Sequence, residues 1–508
     1  MQLRIWHIAR GVLSNWFAMA ATLAVGFFLQ PYIVHRLGDV AYGVWVLAVS
    51  SVSYMIMLDL GMATSVLRFI SKGHATQDHQ GASEALSAVL WVRLQISALI
   101  LVLSGVLAAV FPAMFKVPPG LASDARKSLL IIGFTMAISM SFGIFSATLS
   151  ALNRYDLRSY VTVFQLVIRV VGVVTVLRTG HGILAIAFCE LLAAIVGNAM
   201  LLYLARRIYP ELEIQLGKPK PEVLRKIWSY SVYAFLITVA VQLVYQSDNL
   251  VVGAFVSASA VTYYSIGNTL CRYTQQFIGS MTATFCPAAS TYEAAGDLSG
   301  LRALYFNGTR ATLAISLPIV LTLIIRGHSF IGLWMGAKYA GPSGAVLVIL
   351  AIALLVSLQN LTAGSIALGI EKHKVMAWWA IGEGVANLAL SIVLGRKFGL
   401  NGVAIGTLVP SVIVHLLMWP NYVSRLVDVS FFQVYWNVWG PVFFCGVPFA
   451  VATYAVNDLA PARNMIMFML QTAALLPVFV IAVALMFWDN VRRHILPKVK
   501  SFLYAHAK

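Results

Sequence analysis

The chain has 508 residues, of which 60% are hydrophobic and only 10% charged, and its mean hydropathy is +0.85. That composition excludes a soluble globular domain, which needs a far larger charged share to cover its surface. A formal net charge of +17 would point to nucleic acid in a soluble protein. Here the basic residues sit mainly between apolar runs, where they orient a membrane chain, and no nucleic-acid partner is expected.

A bilayer core of ~30 Å takes roughly 20 apolar residues per helix. Backbone in lipid must be helical or close into a barrel. The apolar runs are much longer than the ~10-residue alternating segments of a barrel. The expected fold is therefore an all-α membrane protein of about fourteen transmembrane helices. In chain order the spans fall near residues 12–34, 41–70, 84–111, 127–150, 158–178, 182–205, 226–256, 260–288, 302–326, 343–370, 374–395, 402–424, 437–457 and 463–488. The second, seventh, eighth and tenth exceed the bilayer thickness and must tilt or protrude.

Arg4, Arg10 and the sequence Ala18-Met19-Ala20 have features of a cleaved signal. Ser14 and Asn15 interrupt the apolar run, however, and it continues past Ala20. The first span is expected to be retained. With the N-terminus in the cytoplasm, cytoplasmic segments hold 21 Lys and Arg, the opposite side holds 10, and Arg93, Arg169, Arg272 and Arg310 lie within spans. This asymmetry places both termini inside.

The richest cytoplasmic segment runs from Arg206 to Lys226 and contains Pro210, Pro219 and Pro221. Proline favours an extended link here. It separates halves that look alike. HGILAIA (181–187) parallels NGVAIGT (401–407), and GDVAYGVWVLAV (38–49) parallels SAVTYYSIGNTL (259–270). Glycine turns follow the matching spans at 180–182 and 399–402. Each offset is near 220 residues, or six spans. The expected division is residues 1–208 and 226–430 as two six-helix lobes in parallel pseudo-repeat. Residues 209–225 link them, and 431–508 add two helices and a cytoplasmic tail.

Residues 36–72 carry Leu37-Gly38, Tyr42-Gly43, Leu58-Asp59-Leu60-Gly61 and a basic end from Arg68 to Lys72. They resemble the first hairpin of the polysaccharide-export and O-antigen flippases of the multidrug/oligosaccharidyl-lipid/polysaccharide exporter superfamily. Residues 247–270 and 367–408 are similar to that family's later stretches. The resemblance implies two lobes around a central cavity, alternating access, and a bacterial inner-membrane location. It implies a polyprenyl-diphosphate-linked oligosaccharide moved from the cytoplasmic to the outer leaflet, often against an ion. The implied partners are that lipid-linked oligosaccharide and the bilayer itself, with a polysaccharide polymerase and a chain-length regulator as candidates. Two alternatives stay within the fold. A multidrug or metabolite exporter usually lacks the last two spans. A peptidoglycan-precursor flippase resembles this layout but carries an arginine in its first span, and residues 12–34 hold none.

Ionisable groups at membrane depth cost roughly 2.5–3.5 kcal/mol each on insertion scales and face a cavity or a partner. Arg272, Arg68, Arg93 and Arg169 are the candidate diphosphate and glycan ligands, since a planar guanidinium fork matches two phosphate oxygens. The alternative is pairing with acids, above all Arg169 with Glu190 on the adjacent span. Arg93 has a further alternative, snorkelling to the cytoplasmic surface. Asp248, Asp59, Glu190 and Glu383 are candidates for ion coupling or gating. Asp248 lies in the polar run Gln246–Asn249, which reads equally as a packing cluster. Leu58–Gly61 around Asp59 reads as a structural bend. His415 is also deep. Pro31, Pro287, Pro318 and Pro410 are candidate hinges. Trp378, Trp379, Trp419, Tyr422, Trp436 and Trp439 are expected in an interfacial belt.

Cys189, Cys271, Cys286 and Cys445 lie in apolar runs without ligand spacing, so neither disulfide nor metal site is expected. The sequence lacks GxxxxGK[ST], HExxH and CxxC. No catalytic residues or cofactor are assigned, and the reading is a transporter, not an enzyme.

Overall fold

A computed structural model describes residues 2–486 except 216 and 373. The expected tail beyond residue 486 and the side chains of Arg4 and Arg10 lie outside the described residues. Among those described, the secondary structure is helical throughout. The helices of the first half are α1 (Gln2–Leu37), α2 (Asp39–Ser53), α3 (Met62–Thr76), α4 (His79–Met114), α5 (Pro119–Phe142), α6 (Ile144–Ala151), α7 (Tyr155–Arg178) and α8 (Ile183–Ile208). There follow α9 (Pro221–Phe255), α10 (Ala258–Thr282), α11 (Phe285–Ala294), α12 (Leu298–Met335), α13 (Ala337–Leu358), α14 (Leu361–Gly369) and α15 (Lys374–Ile413). The last are α16 (Trp419–Leu426), α17 (Phe431–Gln433), α18 (Gly440–Leu459) and α19 (Met465–Met486).

Eleven described helical stretches are long and apolar enough to cross a membrane, one of them running from Lys374 to Leu426. Their apolar surface is turned outward. Only 11% of the apolar window of α19 is buried, and Phe28, Trp436 and Leu459 are 73%, 75% and 82% exposed. Water would not tolerate so much exposed hydrocarbon, whereas acyl chains do.

Local chemistry sets the helix ends. Asp78 and Asp297 cap α4 and α12, each accepting from a glycine N–H three residues on, at 2.9 Å from Gly81 and 2.8 Å from Gly300. Pro119 and Pro221 open α5 and α9 at positions where a missing N–H costs nothing. The linker between α8 and α9 is non-helical, as its prolines require. Its Glu213 and Gln215 N–H groups donate to the Ser83 and Ser87 hydroxyls of α4 at 3.0 and 2.9 Å.

Left-handed residues punctuate the chain at a regular interval. Gln77 and Gly296, Lys116 and Gly336, Asn153 and Glu371, and Gly180 and Gly399 all have positive φ, at separations of 219, 220, 218 and 219 residues. The offset read from sequence thus recurs in the backbone. The expected glycine turns are both present. At Gly399, φ 59 and ψ −135 interrupt α15 with a conformation that side-chain-bearing residues avoid.

Three of the four candidate hinge prolines do not break a helix: α1, α12 and α15 run through Pro31, Pro318 and Pro410. Pro287 does stand at a break, in the first turn of α11 just after α10 ends at Thr282. Breaks also fall at Leu60-Gly61 and between α13 and α14. Neighbouring groups re-satisfy the backbone freed by a membrane proline.

By contacts the chain divides into two compact units. The first holds residues 1–263 and 380–399, the second 264–379 and 400–508. In the first unit α4 packs on α5, α5 on α8, and α1 and α8 on α7, while α9 lies against α2, α3 and α4. Gly43 explains the Tyr42-Gly43 motif. A Cβ there would fall 1.8 Å from Ala258 O, so α2 and the first turn of α10 meet backbone to backbone. Thr262 and Tyr263 then donate to Asp39, at 2.6 Å to its carbonyl and 2.9 Å to its carboxylate. In the second unit α12 packs against α13, α18 and α19 around a core that includes Leu313, Leu317, Val442, Phe449 and Phe479. Trp419 and Trp439 also belong to this core, at 8% and 3% exposure, which corrects their expected place in a belt. Trp378 and Trp436 do face outward.

Candidate functional site

The buried charges of the first unit gather where the second expected span is broken. After α2 the chain tightens into a 3₁₀ turn, Tyr54–Asp59. Leu60 (φ 53, ψ 23) and Gly61 (φ 76, ψ 13) then both turn left-handed before α3. Glycine adopts that conformation freely, while a residue such as Leu60 pays about 1–2 kcal/mol. Asp59 ends the 3₁₀ turn and meets Arg93 of α4 at 2.6 Å, with the two side chains 15% and 5% exposed. This answers one reading of Arg93: it does not snorkel outward but is buried against a carboxylate. Pairing offsets the desolvation of two charges, and removing one partner typically costs about 3–5 kcal/mol.

Arg169 of α7 and Glu190 of α8 form the expected ion pair, at 2.5 Å. It is less secluded, with side chains 45% and 24% exposed.

A second polar group lies on α9. Asp248 is 3% exposed, and the Ser391 hydroxyl of α15 approaches its carboxylate at 3.5 Å. The same hydroxyl donates to Asn387 Oδ1 at 3.1 Å, and both α15 residues are almost wholly buried. Gln242 and Asn249 extend the group toward α2, donating to Ser53 O at 2.7 Å and to the Ser50 hydroxyl at 3.1 Å. Asp248, Asn387 and Ser391 thus bring a carboxylate, an amide carbonyl and a hydroxyl together inside one unit. Hard oxygen donors of this kind suit a proton or a small cation. The sequence pointed to Asp248 and its neighbours on α9. It gave no signal for Asn387 and Ser391, which are one turn apart on a helix distant in the chain.

The remaining candidates lie on other helices. Arg68 is exposed on α3, and Glu383 is half-buried on α15, in the first unit. Arg272 is exposed on α10, in the second. His415 is half-buried in a π-helical turn, where its carbonyl accepts from Asn360 Nδ2 at 2.8 Å.

Sequence reading missed Arg326. It was counted as a loop residue because the ninth span was expected to end there, but α12 continues to Met335. Arg326 is 1% exposed. Its guanidinium stacks 4.2 Å from the Phe468 ring centroid and donates to Gln471 Oε1 at 2.5 Å. No carboxylate among the described residues reaches it.

Comparison with known proteins fixes the family. The sequence model of a family described as "Polysaccharide biosynthesis protein" matches residues 37–343, well over half the chain. The chain is 23% identical over 421 residues to the membrane protein EpsK of Bacillus subtilis, covering 81% of this chain and 82% of EpsK. It is 22% identical over 252 residues to Agl15 of Haloferax volcanii, a probable low-salt glycan biosynthesis flippase, covering 49% of this chain and 53% of Agl15. Among solved structures, the inward-closed lipid II flippase MurJ superposes with a TM-score of 0.72 at 14% identity, over 95% of this chain and 99% of MurJ. An inward-facing multidrug resistance transporter of the MATE family reaches 0.70 at 15% identity, over 82% of this chain and 99% of that one. The chain therefore belongs to the polysaccharide biosynthesis protein family, and it is a multi-pass membrane protein with the fold of the MOP-superfamily transporters.

Proposed function

We propose that this protein flips a polyprenyl-diphosphate-linked oligosaccharide from the cytoplasmic to the outer leaflet by ion-coupled alternating access. The observation that carries the reading is the family match across residues 37–343. The breadth of the fold match supports it further. The lipid II flippase covers 95% of the chain, whereas the multidrug transporter covers 82%.

In this reading fourteen helices cross a bacterial inner membrane, with both termini cytoplasmic. Residues 1–208 and 226–430 act as two six-helix lobes, and 431–508 add a further pair and a tail. The recurrence of left-handed residues at 218–220 supports the repeat. Arg272 binds the diphosphate, and Arg68 meets the same group as it enters from the cytoplasmic side. Arg93 and Arg169 already hold Asp59 and Glu190 and serve first to fix helices. Asp248, with Asn387 and Ser391, takes the coupling cation. A polymerase and a chain-length regulator then receive the product.

The test is Arg272→Ala in the producing cell. The variant should insert and accumulate normally yet abolish surface polysaccharide. Normal polysaccharide would remove Arg272 from the mechanism. In reconstituted vesicles, the protein should translocate lipid-linked repeat units without lengthening them, since chain growth would mark a polymerase. The fold match to a lipid II flippase also favours a second reading, a peptidoglycan-precursor flippase. Rescue of a strain depleted of that activity would establish it in place of the first.

A further inference from the structure

One side chain joins two irregular stretches of the second unit. Helix α13 stops at Leu358 and α14 begins at Leu361, with Asn360 in the break. Helix α15 passes at Val414–Met418 into a π turn that contains His415. A π turn takes backbone carbonyls out of the regular helical ladder, and such turns recur at functional sites. Asn360 Nδ2 donates to the carbonyl of His415 at 2.8 Å, and the same nitrogen lies 3.5 Å from Nδ1 of the His415 ring.

These distances fix the chemistry of both side chains. A carbonyl oxygen only accepts, so the amide atom beside it is the nitrogen and not Oδ1. That nitrogen has no lone pair to offer. A proton on Nδ1 would meet the amide's own protons, so the arrangement holds only while Nδ1 keeps its lone pair and the ring is neutral. Asn360 Oδ1, meanwhile, has no hydrogen-bond partner among the described residues, and Asn360 is 3% exposed. An unmet buried acceptor is costly. Turning the amide over would bring that oxygen to the ring, where an Nδ1 proton would satisfy it. The same rotation would set the oxygen against His415 O and end the present bond. Two bonding patterns are thus available, and the charge on the imidazole decides between them.

The ring is half-buried, and Trp419 lies parallel to it within 9°, 6.4 Å away between centroids. The π turn packs on α13 and α16. The titratable and charged side chains of these two helices are Lys338 and Tyr339, at the end of α13 far from the break, and Tyr422 and Arg425 on α16. The Tyr422 hydroxyl donates to Lys372 O at 2.5 Å, and the Tyr435 hydroxyl, from the π turn before α18, donates to Leu416 O. Helix α14 carries no titratable side chain.

We propose that His415 and Asn360 form a proton-operated latch between the α13–α14 break and the π turn that follows α15. With the ring neutral, the amide clasps the turn. Protonation of the ring turns the amide over, Asn360 Oδ1 accepts the Nδ1 proton, and the carbonyl of His415 is released from the break. The inference stands apart from the flippase reading, because it needs no transport step.

The test is amide hydrogen exchange on the purified full-length protein in lipid nanodiscs, corrected for the intrinsic pH dependence of exchange. Histidine changes charge between about pH 8 and about pH 5. Over that interval protection of residues 357–364 and 414–419 should fall together by about tenfold, the worth of one buried hydrogen bond, while α5 is unchanged. His415→Gln, which cannot gain the charge, should keep the alkaline level of protection throughout. Protection independent of pH in the unaltered protein, or a fall shared equally by α5, overturns the proposal, and that arm needs no variant to fold. An undiminished pH response in His415→Gln overturns it as well.

Discussion

The two units solve the same problem, a guanidinium taken out of water, in different ways. In the first, Arg93 and Arg169 are met by the carboxylates of Asp59 and Glu190. In the second, Arg326 has an aromatic face and an amide, Arg310 takes the carbonyl of Asn437, and Arg302 takes those of Val427 and Asp428 at 3.0 and 2.7 Å, with the exposed Asp428 carboxylate farther off at 3.5 Å. The chain as a whole has 35 basic residues and 18 acidic ones, so carboxylates cannot serve every arginine. Irregular backbone makes up the difference, because a π turn or a helix end exposes carbonyls that a continuous helix keeps for itself. Charge compensation by acids locks helices pairwise. Compensation by carbonyls instead ties an arginine to the shape of the backbone it caps.

The comparison can be broken by removing partners one at a time. Asp59→Ala should have the largest effect, a loss of roughly 3–5 kcal/mol, because it strands Arg93 in the interior. Adding Arg93→Met should recover most of it in denaturant unfolding of the purified protein. A double variant as unstable as the single would show that the pair does not act as a unit. Phe468→Leu should cost less, about 1–2 kcal/mol, by removing the ring on which Arg326 stacks. Arg326→Met should change stability by no more than about 1 kcal/mol, since it leaves no buried charge behind. If the arginine variant were the worse of the two, Arg326 would have a role beyond packing.

Smaller effects sharpen the picture. Arg310→Lys exchanges a planar fork for a point charge, at a cost of about 1 kcal/mol. Amide exchange should quicken in residues 434–439 while the rest of α12 is unchanged. The smallest effect belongs to Asp297, at the entrance of α12. Hydrogen bonds from the Ser299 hydroxyl and the Gly300 N–H hold its carboxyl below the ordinary carboxylate range. Its folded pKa lies under its unfolded value, so the cap's contribution is present above the unfolded pKa and fades as pH falls through the folded one. Asp297→Asn should flatten the stability profile in that acidic window alone.

Much of this was legible in the residues. Hydropathy located eleven membrane-length helical stretches among the described residues, prolines marked the link before α9, and glycines marked the breaks at 180 and 399. Arg169 and Glu190 could be matched because adjacent spans put them at similar depth. Asp59 and Arg93 were both singled out but not joined. The bend at Leu58–Gly61 is legible in the sequence and is present, but the neighbour to which it turns Asp59 is not. Arg326 was misread for another reason. The expected span is set to bilayer length and closes at Arg326, while the helix itself continues to Met335 as long as the backbone bonds close. The carbonyl ligands of Arg302 and Arg310 are invisible in sequence, because any residue supplies a carbonyl.

The first unit is not a continuous stretch of chain, for it includes residues 380–399. A ribosome feeding this protein into the membrane therefore delivers eight helices of that unit, and then α9, long before the segment that finishes it. Until Gly399 has emerged, Asp248 waits without Ser391 and Asn387. Completion of the polar group around Asp248 is thus coupled to arrival of the late segment, and a product truncated before residue 380 would lack the Ser391 and Asn387 side of it.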